Sequence, residues 1–209
     1  MQLVIIGAGG HGKVVAECAE LMTQFSQIHF LDEQQAHLQH YPWPVIGRPD
    51  TYSQYAGSQT RFFIAIGDNH LRGRWVETLT EAKCKLATLI HPSAQVSRHS
   101  QIGEGTLICA NVSVNPFTSL GISCIVNTGA IVEHDCKVSD LVHIAPGCSI
   151  AGGVEIGRAS FLGIGTNVIQ GVRIGSNVQT GAGAVVLKDI KNNQLAVGVP
   201  ARVIKQRDC

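Results

Sequence analysis

Two hydrophobic rhythms divide the chain. In the first ninety or so residues, short apolar runs alternate with stretches of helical spacing. Residues 2–6 (Gln-Leu-Val-Ile-Ile) form a β-branched apolar run that ends in Gly7-Ala8-Gly9-Gly10-His11-Gly12, which predicts a strand entering a glycine turn. Lys13 to Leu21 is rich in helix formers with apolar residues at helical spacing, and Ile28 to Leu31 reads as a second strand ending at Asp32. Phe62 to Ile66, running into Gly67-Asp68-Asn69, and more weakly Leu86 to Ile90 carry further strand signals on either side of a helical stretch from Leu71 to Ala82. The alternation predicts a parallel α/β sheet. Pro42, Pro44 and Pro49 make Tyr41 to Asp50 a loop with at most one short strand.

After His91-Pro92 the rhythm changes. An aliphatic residue stands at every sixth position: Val96, Ile102, Ile108, Val114, Leu120, Val126, Val132, Val138, Ile144, Ile150, Ile156, Leu162, Val168 and Ile174, with a lapse at Thr180 before Val186. Two residues before each lies a compact one: Ala94, Ser100, Thr106, Val112, Thr118, Cys124, Ala130, Cys136, Val142, Cys148, Val154, Ser160, Thr166 and Val172. A helix of period 3.6 would scatter a six-residue repeat around its surface, and a flat strand has no use for it. Three flat six-residue faces per turn of a parallel β-helix require it, with the aliphatic residue inward and the compact one near a corner. Val96 to Val186 is 90 residues, or five turns of 18. Cys124, Cys136 and Cys148 then read as corner-fitting residues, and Asn127, Gly147, Gly153, Gly157 and Gly175 as turn residues with unusual backbone angles. The expected organisation is an α/β domain over 1–90 and a β-helix over 91–209.

Composition adds exclusions. Sixteen Lys and Arg against fifteen Asp and Glu give a formal charge of +1, so no global field favours nucleic acid or an anionic membrane. The first apolar run is too short for a signal peptide or membrane span and has no basic residues before it, which predicts a cytoplasmic protein without membrane insertion. Seven cysteines are an odd number with no CxxC pair, which argues against a disulfide framework.

Five motifs, in order and spacing, carry a resemblance over essentially the whole chain: Gly7-Ala-Gly-Gly-His-Gly-Lys13, Asn127-Thr-Gly-Ala-Ile-Val-Glu-His-Asp-Cys136, His143-Ile-Ala-Pro-Gly147, Ala151-Gly-Gly153 and Val197-Gly-Val-Pro-Ala201. They resemble the left-handed β-helix acyltransferases of the sialic acid O-acetyltransferase (NeuD-like) family, which includes bacterial aminosugar N-acetyltransferases. The resemblance implies left-handed coiling, a homotrimer with acetyl-coenzyme A between neighbouring prisms, and a Rossmann-like N-terminal domain that holds the nucleotide of a sugar substrate.

Gly7-x-Gly9-x-x-Gly12 with Asp32 twenty residues further on matches a dinucleotide fingerprint. Roughly 90 residues suffice for one mononucleotide half of that fold, not two, so a dehydrogenase is not expected. Gly7, Gly9, Gly10 and Gly12 are read as letting backbone approach the substrate nucleotide, with Asp32 and the Gly67-Asp68-Asn69 turn beside it; the alternative is a merely tight turn. His11 either reaches the sugar or caps the helix.

Acyl transfer needs a base for the attacking amine or hydroxyl and a donor for the oxyanion. His134, two residues past inward-facing Val132, suits the first task. Asp135 orients its ring, Glu133 being the weaker candidate. By resemblance, His134 corresponds to the base, Asp135 to its acidic partner and the Gly152 amide to a contact on the acetyl carbonyl. His143, half a turn away, contacts coenzyme or substrate in a trimer or is a satisfied histidine at a prism edge. Asn127 joins the substrate contacts. Gly163, Gly165, Gly181, Ala182 and Gly183 give a pantetheine arm close passage or are turn residues. Lys188, Arg202 and Lys205 meet the coenzyme phosphates or are solvated. No metal is expected. A 4-amino-4,6-dideoxy sugar on a nucleotide is the expected acceptor, against sialic acid O-acetylation, a zinc-dependent gamma-type carbonic anhydrase and a non-catalytic scaffold.

Overall fold

The structure is a computed structural model describing residues 1–34 and 42–207; Tyr41, where the expected loop begins, and Cys209 lie outside the described residues. The chain divides into two compact units, Met1–Pro92 and Ser93–Cys209.

In the first unit, β1 (Gln2–Ile6), β2 (Gln27–Leu31), β3 (Val45–Gly47) and β4 (Thr60–Ile64) form a parallel sheet in the order β3-β2-β1-β4. Helix α1 (Gly10–Leu21) follows β1 and α2 (Asn69–Glu81) follows β4. Leu3 to Ile6 of β1 are all buried, because a parallel strand is covered on both faces; hence a continuous apolar run rather than alternation. Val4, Ile6, Leu31, Phe62, Ile64 and Leu79 make the core, each such side chain stabilising by about 1.5–3 kcal/mol. The chain winds from β1 to β2 on one side and then returns to β4 on the other. That reversal opens a crevice at the carboxyl ends of β1 and β4, where open α/β sheets hold ligands.

The structure corrects two local expectations here. Helix α1 starts at Gly10 rather than Lys13, so Gly10, His11 and Gly12 form its first turn instead of a loop. A Cβ on Gly12 would stand 2.3 Å from the Gly7 carbonyl oxygen, so this glycine permits helix and strand to touch. The expected loop does hold a short strand, β3, but its end enters an unforeseen 3₁₀ helix, Pro49–Tyr55, for which Pro49 supplies a preset first φ.

The second unit is a coil of two-residue strands, each hydrogen-bonded in parallel to the strand 18 residues away; Ile131–Val132, for instance, lies between Ser113–Val114 and Ser149–Ile150. From Ile108 to Ile174 the sixth-position aliphatics are at most 3% exposed, while Val96 and Ile102 at the start of the coil are half-buried. Thr180 does not interrupt this interior: it is buried, with its hydroxyl against Thr166 Oγ1 at 2.7 Å and accepting the Gly163 amide at 2.9 Å.

The compact series stands next to the corners, each member directly after a corner residue, and from Thr106 to Val172 its side chains are buried inside the column. The polar ones do a specific job. Thr106, Thr118 and Ser160 hydroxyls, and Cys124, Cys136 and Cys148 thiols, each donate to a carbonyl fifteen residues further on. Those carbonyls precede the corners and turn inward, where a buried acceptor needs a donor; Gly163 O also accepts from the Thr166 amide and hydroxyl.

The corners obey a rule of their own. Every sixth residue from 105 to 183 has a left-handed φ: Gly105, Gly129, Gly147, Gly153, Gly165, Gly171 and Gly183, but also Asn111, Phe117, Ser123, Asp135, Leu141, Ala159 and Asn177. Gly157, Gly175 and Asn127 do not belong to this set. A Cβ on Gly157 would sit 2.4 Å from the Ser176 nitrogen of the next turn, so stacking, not φ, selects glycine there. The column ends in the antiparallel pair Gln194–Val197 and Arg202–Gln206.

Candidate active site

Because corners recur every six residues and turns every 18, positions 98, 116, 134, 152, 170 and 188 stack along one edge of the column. His134 and Asp135 form its third corner. The Asp135 φ of 60° folds its carboxylate back on the neighbouring ring, and His134 Nδ1 donates to Asp135 Oδ2 at 2.8 Å. With Nδ1–H held by the carboxylate, Nε2 carries the lone pair. Both side chains are more than 60% exposed, at 61% and 62%, so the imidazole is presented outward.

One turn further on, Gly152 lies directly against the ring. A Cβ there would stand 2.6 Å from His134 Cε1 and 2.7 Å from Nε2. Among the described residues the Gly152 amide has no hydrogen-bond acceptor, whereas the equivalent amides of Ile122 and Ser176 on another edge are capped by Asp140 and Asn192. A proton acceptor and an unoccupied donor therefore adjoin on one corner column. That is the pairing acyl transfer requires.

His143 is not at a prism edge. It sits on a strand, on the face opposite the His134 edge, 8% exposed, with Phe161 edge-on at 4.9 Å and Nε2 3.4 Å from Asn127 Nδ2. Asn127 Oδ1 accepts from the Thr128 amide. Gly165 and Ala182 lie on the edge that follows this face. The amides of Gly163, Gly165 and Gly181 donate to Thr180 Oγ1, Pro146 O and Ala196 O, so these residues offer bare surface rather than donors. Within one chain this second group does not meet His134.

Lys188 shares the His134 edge, three turns of 18 residues on, and with Arg202 borders a recess of about 370 Å³. Lys205, on the last strand, is exposed.

In the first unit a cavity of about 510 Å³ opens at the reversal between β1 and β4, bordered by Gly7, Gly9, Asp32, Pro49, Ile66 and Trp75 among others. The Asp32 carboxylate accepts the Ala8 amide at 2.7 Å and the Gln34 amide at 2.8 Å, so it braces the glycine loop as well as facing the cavity. Helix α1 has Gly9 as N-cap, no side-chain cap and no acid in its first turn. Its first amides and dipole thus favour an anion. Helix α2 differs: Asp68 caps it by accepting the Leu71 amide at 2.7 Å. Gly67, Asp68 and Asn69 therefore build the scaffold rather than line the cavity.

Sequence reasoning passed over Arg72. Its guanidinium is fully buried and donates to Ile66 O, Gly67 O and Asn69 Oδ1. Burial, and secondarily the Arg72 charge, hold His11 down from 6.5 to about 4. Phe117 was also missed: 70% exposed at a left-handed corner one turn before Asp135, with its ring 5.9 Å from that of His99. Its signal was a bulky aromatic in the sixth-residue corner series. Among the described residues no three His, Cys, Asp or Glu side chains converge as a metal site, and no helix is long and apolar enough to cross a membrane.

Comparison with known proteins adds to this geometry. A profile of the PglD N-terminal domain matches residues 2–79. GDP-perosamine N-acetyltransferase from Escherichia coli O157:H7 is 33% identical over 111 residues, which are 53% of this chain and 50% of that protein; the chain thus matches about half the length of such curated relatives. Among solved structures, the acetyltransferase domain of PglB from Neisseria gonorrhoeae, in complex with acetyl coenzyme A, is 38% identical, with a TM-score of 0.93 over 97% of this chain and 98% of that one. A histidine-to-alanine mutant of GDP-perosamine N-acetyl transferase from Caulobacter crescentus, in complex with CoA and GDP-perosamine, is 37% identical, with a TM-score of 0.91 over 99% and 98% of the two chains.

Proposed function

The chain belongs to the NeuD/PglD-like family of left-handed β-helix acetyltransferases, and we propose that it acetylates the amine of a nucleotide-linked aminosugar from acetyl-coenzyme A, with His134 as general base. The observation that carries this reading is the corner where the Asp135-held imidazole lies against Gly152.

In the proposed step, the sugar amine attacks the thioester carbonyl while Nε2 of His134 takes its proton. The Gly152 N–H donates to the oxyanion of the tetrahedral intermediate. Collapse breaks the carbon–sulfur bond, and the imidazolium returns its proton to the departing thiolate. Asp135 keeps Nδ1 protonated and stabilises the imidazolium.

The cavity at the carboxyl ends of β1 and β4, with the N-terminus of α1 beside it and no side chain capping that helix, suits the nucleoside diphosphate of the acceptor. Asn127, His143, Gly165 and Ala182 lie on a different part of the column from His134. In a closed threefold ring, one subunit's group can face the neighbour's His134 edge, with the pantetheine arm between them. Lys188, Arg202 and Lys205 supply positive charge for the coenzyme phosphates. The proposed donor and acceptor are both charged and water-soluble, which favours a cytoplasmic site of action.

The test is acetylation of UDP-, GDP- and dTDP-linked 4-amino-4,6-dideoxy sugars with acetyl-coenzyme A. Replacing His134 by Ala should lower kcat by about 10²–10⁴-fold with coenzyme affinity within about two-fold by calorimetry. Unchanged turnover in that variant would refute the role of base.

A further inference from the structure

We infer that Cys136 is a positioning residue for acyl transfer, its interior thiol holding the Ala151–Gly152 peptide so that the Gly152 N–H faces the acyl carbonyl beside His134. The inference rests on the assignment of Gly152 as oxyanion donor.

The argument is one of peptide geometry. Cys136 is fully buried inside the column, and its Sγ donates to the Ala151 carbonyl at 3.2 Å. A trans peptide is planar, with N–H and C=O pointing in opposite directions. Fixing the Ala151 oxygen toward the interior therefore aims the Gly152 N–H away from the interior, onto the corner where the imidazole lies. Its neighbours are tied by the Ala151 amide on Val168 O and the Gly153 amide on His134 O, but without the thiol the Ala151 carbonyl loses its own restraint, and any tilt of the peptide turns the N–H with it. An oxyanion donor acts through preorganisation, so its direction matters more than its presence.

The same residue is tied to the base's own corner. The Cys136 amide donates to Thr118 Oγ1 at 3.2 Å, and that hydroxyl donates to the Glu133 carbonyl at 2.6 Å. Glu133 O and the His134 N–H belong to one peptide, so the interior chain Thr118–Cys136 brackets the His134–Asp135 corner and the Gly152 corner together. Burial raises the Cys136 thiol above its ordinary range, so it remains a donor at neutral pH.

A purely structural role would be indistinguishable at every similar bond in the coil, and the coil supplies its own control. Cys124 donates to the Ser139 carbonyl at 3.1 Å, the same bond on an edge that carries no proposed catalytic group. The coil also says which substitutions it accepts, since Thr106 and Thr118 or Val112 and Val142 occupy this series elsewhere. Threonine keeps a donor and valine, of the same shape, does not.

The experiment compares Cys136→Val, Cys136→Thr, Cys124→Val and His134→Ala with the parent protein, using acetyl-coenzyme A and whichever UDP-, GDP- or dTDP-linked aminosugar the parent acetylates fastest. Expected is a fall in kcat of about ten-fold for Cys136→Val, with both KM values within about two-fold. Cys136→Thr should stay near the parent rate, and Cys124→Val should lose a similar amount of thermal stability without losing kcat. The inference is overturned if Cys136→Val turns over like the parent, if Cys136→Thr falls as far as Cys136→Val, or if Cys124→Val falls equally. A His134→Ala protein at parental rate, or a parent inactive on the whole panel, removes the catalytic reading and this inference with it; normal loss in His134→Ala with a flat cysteine series removes this inference alone.

Discussion

The two units solve the same problem, where to put backbone polar groups at a turn, in opposite ways. The coil solves it by repetition: every corner from 105 to 183 takes a left-handed residue, and inward carbonyls before six of the corners receive a compact donor from the interior series. The α/β unit solves it with singular contacts. Asp32 braces the glycine loop, Asp68 caps α2 and Arg72 gathers three acceptors in the core. Where structure is periodic, a candidate site shows as a departure from the period, such as the His134-Asp135 pair, which no other corner from 105 to 183 repeats. Where structure is singular, scaffold and site share the same residues.

This contrast can be broken most sharply at Gly152. Its φ is ordinary, so alanine costs the coil little, but the added methyl must displace the exposed imidazole. Gly152→Ala should lower kcat by about 100-fold with a melting temperature close to the parent's, measured by steady-state assay and calorimetry. A singular contact should behave otherwise. Arg72→Met leaves three acceptors without their donor, and we expect a loss of about 3 kcal/mol in urea denaturation, confined to the α/β unit and accompanied by a raised KM for the acceptor but not for acetyl-coenzyme A.

A gentler probe is pH. Folded His11 takes up a proton only near pH 4, whereas an unfolded chain does so near 6.5. Stability is therefore expected to fall as pH drops from 6.5 toward 4 and to be independent of this group above that window. Comparing thermal melts of the parent and His11→Gln across that range checks it; the difference between them should grow as pH falls. The smallest effect belongs to Phe117. A bulky residue with φ of 62° stores strain that glycine would release, so Phe117→Gly should stabilise the coil by about 1 kcal/mol, visible as a higher melting temperature.

The same contrast explains what the sequence discloses. The series from Val96 to Ile174 is legible because an interior that repeats must be written repeatedly. The donor role of the compact series is hidden in the sequence because size and hydrogen-bonding capacity coincide in Ser, Thr and Cys; a series chosen for smallness alone would hold more alanine and glycine. Gly157 and Gly175 looked like turn glycines because close stacking and left-handed φ select the same residue. His134 and Asp135 stand out in the sequence through their motif, and the geometry adds the imidazole lying against Gly152. In the α/β unit the glycine motif was visible, but Arg72 was not, since an arginine on an amphipathic helix ordinarily reads as solvated. Only the fold turns it inward.

His134 and Lys188 stand on one edge with three turns between them. Strands stack about 4.8 Å apart, so the column works as a ruler of about 14 Å between the proposed base and the cation proposed for the coenzyme phosphates. Its length is written in whole turns and changes only in units of 18 residues. A natural or engineered relative with one turn more or less between these positions would keep its chemistry intact and yet fit a carrier of different reach.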